Sequence, residues 1–207
     1  MFAKGGNAVD AAIATNAAIG VTGPHLCGMG GDLFALIHTP EGVVALNSSG
    51  RAGSGADAAA LRSEGFTEMP FRHDIRAVTV PGCVDGWLAL HQRFGSLPLA
   101  ELLAPAIDLA DHGFAASPLL VGSLGRLDEP GRRQLHELAD QATRPGALVR
   151  RPGLAAAMRA IVDAGRDGFY GGAFGDGLLE LGAGWFTSAD LETSQADWVE
   201  PLTATAF

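Results

Sequence analysis

The stretch Ser48-Ser49-Gly50-Arg51-Ala52-Gly53-Ser54-Gly55 places one cation among residues that have almost no side chain. In such a setting the guanidinium of Arg51 can project into a cavity and bind a carboxylate through two parallel hydrogen bonds. The residues alone favour a surface arginine in a salt bridge, which is the commoner role for this residue type. Neither Ser48 nor Ser49 lies in a Gly-x-Ser-x-Gly turn, so the stretch does not predict a serine nucleophile. We therefore take Arg51 as the candidate anion-binding residue.

A second segment, Gly28-Met29-Gly30-Gly31-Asp32, has closely spaced glycines that can bring backbone N–H groups together around an anion. Nucleotide-binding glycines, however, follow a strand and open a helix, and a P-loop also needs Gly-Lys-Ser/Thr. Here the predicted order is helix, loop, strand, which indicates a tightly packed loop or a pocket wall built from backbone. His25, Cys27 and Asp32 share this loop, but without a second spaced pair they do not form a metal-site pattern. We predict no metal and no cofactor.

The composition limits the classes of partner. Of the 207 residues, 47% are hydrophobic and 18% charged, which suits one compact domain or most of a larger one. The formal charge is −9 and the 14 lysines and arginines are scattered, which argues against nucleic acid as a partner. No apolar stretch approaches the roughly 20 residues that cross a bilayer, and residues 1–6 lack the apolar core of a signal peptide. We therefore expect no membrane partner and a cytoplasmic protein as written, or a periplasmic or secreted one if the N-terminus is incomplete.

Several elements are predicted to position these residues. Asn7 followed by Asp10 forms a variant capping box and predicts a helix over residues 7–19, with an alanine-rich surface suited to close packing. Apolar runs at 33–38 and 43–47 flank a turn and predict a β-hairpin. The nearly continuous apolar first strand implies cover on both faces of its sheet. The two cysteines, Cys27 and Cys83, are too few for a disulfide scaffold and are expected to be buried thiols.

The region after Pro81 is predicted to be largely helical. Apolar spacing predicts a helix around 84–91 and a second over 99–110 that Pro105 splits or kinks. Further helices are predicted over 117–127, 131–141, 152–165 and 176–182. The end, from Trp198 to Phe207, alternates like a strand and is expected to stop inside the fold. A helix, a hairpin and a helical lobe that returns to the sheet predict an α+β fold in a single incomplete domain, 1–207.

Seven blocks of the chain resemble, in the same order, the gamma-glutamyltranspeptidase family. They are Lys4-Gly5-Gly6-Asn7-Ala8-Val9-Asp10-Ala11-Ala12, the loop Pro24 to Asp32, Ser49-Gly50-Arg51-Ala52, Val80-Pro81-Gly82-Cys83-Val84-Asp85-Gly86-Trp87, Leu102-Leu103-Ala104-Pro105-Ala106, Gly168-Phe169-Tyr170-Gly171-Gly172 and Asp197-Trp198-Val199-Glu200-Pro201-Leu202. Any one block is a weak signal, but seven ordered blocks cover nearly the whole chain. The chain is thus identified as similar to the large subunit of that family, in its transpeptidase-like branch.

The resemblance implies the fold and reaction of N-terminal nucleophile hydrolases. Their precursors cleave themselves to expose a threonine at the start of a small subunit, and the two subunits share a four-layer αββα sandwich. The threonine hydroxyl attacks the γ-amide of glutathione or a similar substrate, with the new α-amine as base, and the acyl group passes to water or an amino acid. The implied partners are a small subunit from the same precursor and a γ-glutamyl small molecule.

Arg51 is the residue to which the resemblance assigns a function. In the family, an arginine after the hairpin binds the α-carboxylate of the γ-glutamyl group, usually beside a glutamate, whereas Ala52 stands there in this chain. No block resembles the small-subunit start, and Thr203 and Thr205 lie in another context, so no catalytic nucleophile is expected here. The acyl substrate stays open between γ-glutamyl amides and glutaryl or cephalosporin-type amides, and a third hypothesis is that this chain alone is catalytically silent.

Overall fold

The computed structural model describes residues 1–70 and 72–205. The α-helices in this part of the chain are α1 (Ala8–Thr22), α2 (Ala58–Ser63), α3 (Cys83–Phe94), α4 (Leu99–His112), α5 (Pro118–Leu124), α6 (Glu129–Gln134), α7 (His136–Ala139), α8 (Pro152–Ala164), α9 (Arg166–Tyr170), α10 (Ala173–Leu181) and α11 (Ser188–Glu192). The strands are β1 (Leu33–Thr39), β2 (Gly42–Ser48), β3 (Phe114–Ala115), β4 (Leu148–Val149) and β5 (Asp197–Val199). The α+β class predicted from the sequence is confirmed. Among these residues no helix is both long enough and apolar enough to cross a membrane.

Helix α1 begins at the predicted cap. The side chain of Asn7 accepts hydrogen bonds from the N–H groups of Val9 (2.8 Å) and Asp10 (3.0 Å), and the Asp10 carboxylate accepts one from the N–H of Asn7 (2.9 Å). These bonds close the capping box, and the helix continues to Thr22 rather than stopping at residue 19. The amide of Asn7 also donates to the carbonyl of Phe94 (2.6 Å), which ties the start of α1 to the end of α3.

Asp10 makes this cap sensitive to pH. Burial alone would raise the pKa of its carboxyl, but hydrogen bonds from the backbone of Asn7, Ser96 and Leu97 outweigh burial and lower the pKa below its usual range. A lowered pKa in the folded state stabilises the fold above about pH 4, and the contribution is lost as the pH falls through the folded-state value. We therefore expect Asp10→Asn to lower the free energy of unfolding by about 1–2 kcal/mol at pH 7, and by less below pH 4. Urea unfolding across this range tests the prediction, and a pH-independent difference would contradict it.

The sheet has the order β1-β2-β5, with both neighbouring pairs antiparallel. In β1, Leu33, Ala35 and Ile37 pack against the core, while Phe34 and Leu36 are 65% and 72% exposed. The prediction of cover on both faces is therefore wrong for the part of the chain described here. The apolar outer face nevertheless explains why the strand looked continuous in sequence, since both of its faces carry large apolar side chains.

The core forms where α4 packs between α1 and α8. Leu102, Leu103 and Ala106 are fully buried, whereas Pro105 is exposed on the opposite side of α4. The helix runs unbroken through Pro105, so the predicted split is wrong. Because the residue without an N–H lies on the solvent side, packing of the buried side keeps the helix continuous despite the lost hydrogen bond.

The other predicted elements differ mainly at their ends. The segment 117–127 shortens to α5, 131–141 divides into α6 and α7, and the helices predicted at 152–165 and 176–182 correspond to α8 and α10. The C-terminal strand is β5, shorter than predicted, and residues 206–207 of that prediction lie outside the described residues. The short helices α2, α9 and α11 and the pair β3-β4 were not predicted, because a few residues give little periodicity.

Candidate functional site

Arg51 lies three residues after the end of β2, beside the start of β5. Its Nη2 donates to the Oδ2 of Asp197 at 2.6 Å, and its Nη1 donates to the backbone carbonyl of Ser194. The side chain is 43% exposed, so the guanidinium combines a surface salt bridge with access to an external acceptor. An arginine has five N–H donors, and a carboxylate can still bind to those facing outward. The residue next to Arg51 in sequence, Ala52, carries no acidic group, but Asp197 places a carboxylate beside Arg51 in space.

The backbone of Arg51 is fixed on both sides. Its N–H donates to the side-chain Oε1 of Gln195 (2.9 Å), and its carbonyl accepts from the N–H of Val80 (2.8 Å). Just before it, the hydroxyl of the buried Ser48 donates to the carbonyl of Gly82 (2.6 Å). The arginine therefore projects from a segment with little freedom to move, as a binding residue requires.

A buried polar network supports the segment opposite Arg51. The carboxylate of Asp85, only 4% exposed, accepts a hydrogen bond from the N–H of Gln195 (2.7 Å) and lies 3.0 Å from the Nε of Arg166. Arg166 also donates to the carbonyl of Thr193 (2.7 Å). The buried Gln195 also donates a hydrogen bond from its side-chain amide to the carbonyl of Thr193 (2.6 Å). Asp85 at the start of α3 thus holds residues 193–195, which in turn contact Arg51.

Glycines allow the segment around Arg51 to lie close to its neighbours. At Gly53 and Gly55 a Cβ would overlap the backbone carbonyls of Trp185 and Gly184, and at Gly50 it would overlap that of Val80. Gly50 also has a φ of 84°, a left-handed conformation that L side chains rarely adopt. The glycine-rich composition that drew attention to this stretch is therefore a requirement of close packing.

Replacing Gly50 by alanine tests this packing requirement. We expect Gly50→Ala to lower the free energy of unfolding by about 2–3 kcal/mol, because it adds a steric overlap to the cost of a positive φ. Gly65→Ala is the matched control, since Gly65 has a similar φ of 94° and open space where the Cβ would lie. The control should cost only about 1 kcal/mol. Equal midpoints for the two variants in urea unfolding would show that the contact with Val80 is unimportant.

The glycine-rich loop after α1 lies between two parts of the fold. The carbonyl of Gly31 accepts from the N–H groups of Gly82 (3.0 Å) and Cys83 (2.9 Å) at the start of α3. On its other side, residues Gly28 to Gly31 line a cavity together with α8 to α10. The loop follows a helix and precedes a strand, as predicted, and it is both a packed loop and a pocket wall.

The two cysteines are free thiols, Cys83 buried and Cys27 partly buried. Burial raises the pKa of the Cys27 thiol and raises that of Cys83 to about 12. Both are therefore poorly ionised near neutral pH and weakly nucleophilic. Within residues 1–70 and 72–205, no group of three or more His, Cys, Asp or Glu side chains is arranged to hold a metal ion.

The residues around Arg51 were only partly visible in the sequence. Asp85 and Asp197 lie within blocks that resemble the family, but nothing in their spacing indicates contact with the region of Arg51. Gln195 and Arg166 gave no signal, because polar residues in short connecting segments are usually solvated. Asp85 lies in the first turn of a predicted helix, where acids are common, so its position does not indicate burial.

Comparison with known proteins places these features in context. A model of the gamma-glutamyltranspeptidase family matches residues 1–206. The chain is 36% identical to the oxamate amidohydrolase proenzyme of Klebsiella pneumoniae and 32% identical to the glutathione hydrolase-like YwrD proenzyme of Bacillus subtilis. Each match covers 97% of this chain and 40% of the relative, so the chain spans about 40% of the length of these curated relatives.

Solved structures show the same fold. The cephalosporin acylase from Bacillus halodurans has a TM-score of 0.88 at 32% identity, over 99% of this chain and 41% of that one. The gamma-glutamyltranspeptidase of Helicobacter pylori has a TM-score of 0.86 at 27% identity, over 98% of this chain and 62% of that one. The resemblance read from the seven sequence blocks is confirmed, as is the N-terminal nucleophile hydrolase fold.

Proposed function

Since the chain belongs to the gamma-glutamyltranspeptidase family, we propose that it is the large-subunit part of an amide hydrolase or acyltransferase. The nucleophilic threonine lies on the small subunit, which comes from the same precursor. The match over residues 1–206 and the 40% share of relatives named as proenzymes support this assignment. The exposed apolar face of β1, with Phe34 and Leu36, is the surface that the rest of the precursor covers.

In this proposal Arg51 binds the carboxylate of the acyl group. The supporting observation is its rigidly held backbone together with a guanidinium that remains 43% exposed. Asp197 and the carbonyl of Ser194 orient the guanidinium and leave its remaining N–H groups for the substrate. The chain itself holds substrate, and the reacting threonine comes from its partner.

The substrate is a γ-glutamyl amide, with a glutaryl-type amide as the second candidate. A γ-glutamyl group is a glutaryl group with an α-amine, so both present a carboxylate at the same distance from the amide bond. Arg51 serves either group, and the α-amine decides between them. The second candidate is favoured by the 32% identity to a cephalosporin acylase and by Ala52 in place of the usual acidic neighbour.

Three p-nitroanilides separate these possibilities in the full-length protein that contains this chain. The γ-glutamyl compound carries carboxylate and amine, the glutaryl compound lacks the amine, and the butyryl compound lacks both. We expect kcat/KM to be highest for γ-glutamyl and at least about 100-fold lower for butyryl. A preference for glutaryl selects the second candidate, whereas equal rates on butyryl would contradict carboxylate recognition.

The 207 residues alone should release no p-nitroaniline from any of the three compounds, because the threonine that attacks the amide is not among them. The matched measurement is the full-length protein at the same concentration, together with its intact mass, which should show two chains. Turnover by the isolated chain above the buffer rate would disprove the proposal that the nucleophile lies outside these 207 residues.

A further inference from the structure

A cavity of about 920 Å³ lies between the loop after α1 and the helices α8 to α10. This volume is within the range of small-molecule sites, about 300–1,000 Å³. It is lined by residues of the loop after α1, among them His25, Gly28 and Gly30, by Glu137 and Arg151, and by residues of α8 to α10. Arg51 is not one of them, so the carboxylate role proposed for Arg51 does not account for this cavity.

The walls are open because their residues are small. At Gly28, Gly30 and Gly153 an added Cβ would meet nothing within 4 Å, so these glycines leave space rather than allow a close contact. One wall instead carries two large rings, Phe169 and Phe174, stacked at 4.0 Å between centroids and 10° between planes. The cavity is therefore mostly apolar, with aromatic residues on one side.

Two nitrogen-bearing side chains interrupt the apolar lining. Both ring nitrogens of His25 and the Nε of Arg151 are buried and lack hydrogen-bond partners among the described residues. The Nη1 of Arg151 makes one long bond, 3.4 Å, to the carbonyl of Gly20. Buried polar groups are almost always paired, and leaving one unpaired costs about 1–3 kcal/mol. An acceptor in the cavity would satisfy Arg151 and the nitrogen of His25 that carries the hydrogen.

The charge of that acceptor follows from Arg151. Burial lowers the pKa of its guanidinium, while the negative charge of Glu137 partly opposes this effect. An arginine stays protonated in spite of burial, so it attracts an anion. No carboxylate of the described residues lies within salt-bridge distance of it. The exposed Glu137 at the same cavity disfavours a second negative charge, which selects a monoanion.

We propose that this cavity binds a small monocarboxylate with an aromatic or alkyl body. The carboxylate accepts hydrogen bonds from Arg151 and His25, and the body lies among the alanines of α8 beside Phe169 and Phe174. The site does not depend on the role of Arg51, and its failure would leave the proposed function of the chain intact.

Isothermal titration of the full-length protein with 4-phenylbutyrate tests the site directly. The comparison ligands are 4-phenylbutan-1-ol, which keeps the body but lacks the charge, and butyrate, which keeps the charge but lacks the ring. We expect each to bind at least about tenfold more weakly than 4-phenylbutyrate. Failure of 4-phenylbutyrate to bind below about 10 mM, or equal affinity for the alcohol, would overturn the proposal.

Two variants locate the binding site within the cavity. Arg151→Met should weaken 4-phenylbutyrate at least about tenfold, while Arg132→Met, which removes an exposed charge outside the cavity, should leave its Kd within about twofold. Because Arg151 also bonds to Gly20, a second variant fills the cavity without touching any charge. Gly28→Leu should likewise weaken binding at least about tenfold, whereas Gly122→Leu on the exposed side of α5 should not. An unchanged Kd in Gly28→Leu would place the ligand elsewhere and refute the site.

Discussion

Arg51→Ala in the full-length protein should lower kcat/KM for the γ-glutamyl and glutaryl anilides at least about 100-fold, or about 2.7 kcal/mol. The physical reason is the loss of a charged, two-bond contact with the carboxylate that both acyl groups share. A large part of the loss should appear in KM, since the carboxylate is bound in the ground state as well as in the transition state. Initial rates over a range of anilide concentrations give both constants.

The butyryl anilide is the control for this prediction, because it has no carboxylate to lose. Arg51→Ala should change its kcat/KM by no more than about threefold, which separates loss of binding from a damaged fold. Arg51→Lys should lie between wild type and alanine, because lysine keeps the charge but not the planar fork. Arg132→Ala removes an exposed arginine on α6 and should match wild type throughout. A KM for the γ-glutamyl anilide within about twofold of wild type would disprove the carboxylate role.

The sequence predicted the parts of this site that depend on neighbouring residues. Two apolar runs on either side of a turn predicted the hairpin, and Asn7 with Asp10 predicted the cap of α1, because both signals act over a few positions. Arg51 stood out because small residues surround it. Its contacts, however, join residues as far apart as Arg51 and Asp197, a separation of 146 positions that no local pattern reports.

The wrong predictions, at Pro105 and at β1, also have their cause in tertiary packing, which no local pattern reports. The predicted split at Pro105 is a local preference that the packing of Leu102, Leu103 and Ala106 overrides. The prediction that β1 is covered on both faces rested on apolar side chains that do lie on both of its faces, but the described part of the chain covers only one face. Local propensity describes a single element. Whether a face of that element is buried depends on the elements that pack against it, and composition and spacing do not specify those elements.

Asp85 connects the stability of the fold to the geometry of the site. Its carboxylate is buried, faces Arg166, and accepts from the N–H of Gln195, whose side chain accepts from the N–H of Arg51. Two elements that lie far apart in sequence, the start of α3 and the segment before β5, are therefore joined through one carboxylate. A change at Asp85 should act on Arg51 without touching it, through the position of residues 193–195.

Asp85→Ala should lower the free energy of unfolding by about 3–5 kcal/mol, because it leaves the partly buried Arg166 without its counter-charge and the N–H of Gln195 without an acceptor. Urea unfolding of the full-length protein measures the change. Asp108→Ala is the matched control: Asp108 also pairs with a basic side chain, His112, but it is 71% exposed, so its loss should cost less than about 0.5 kcal/mol. Adding Arg166→Met to Asp85→Ala should recover part of the lost stability, since the unpaired charge is then removed as well. A single-variant loss below about 1 kcal/mol, or a double variant that is fully additive, would show that this buried pair does not hold the segment behind Arg51.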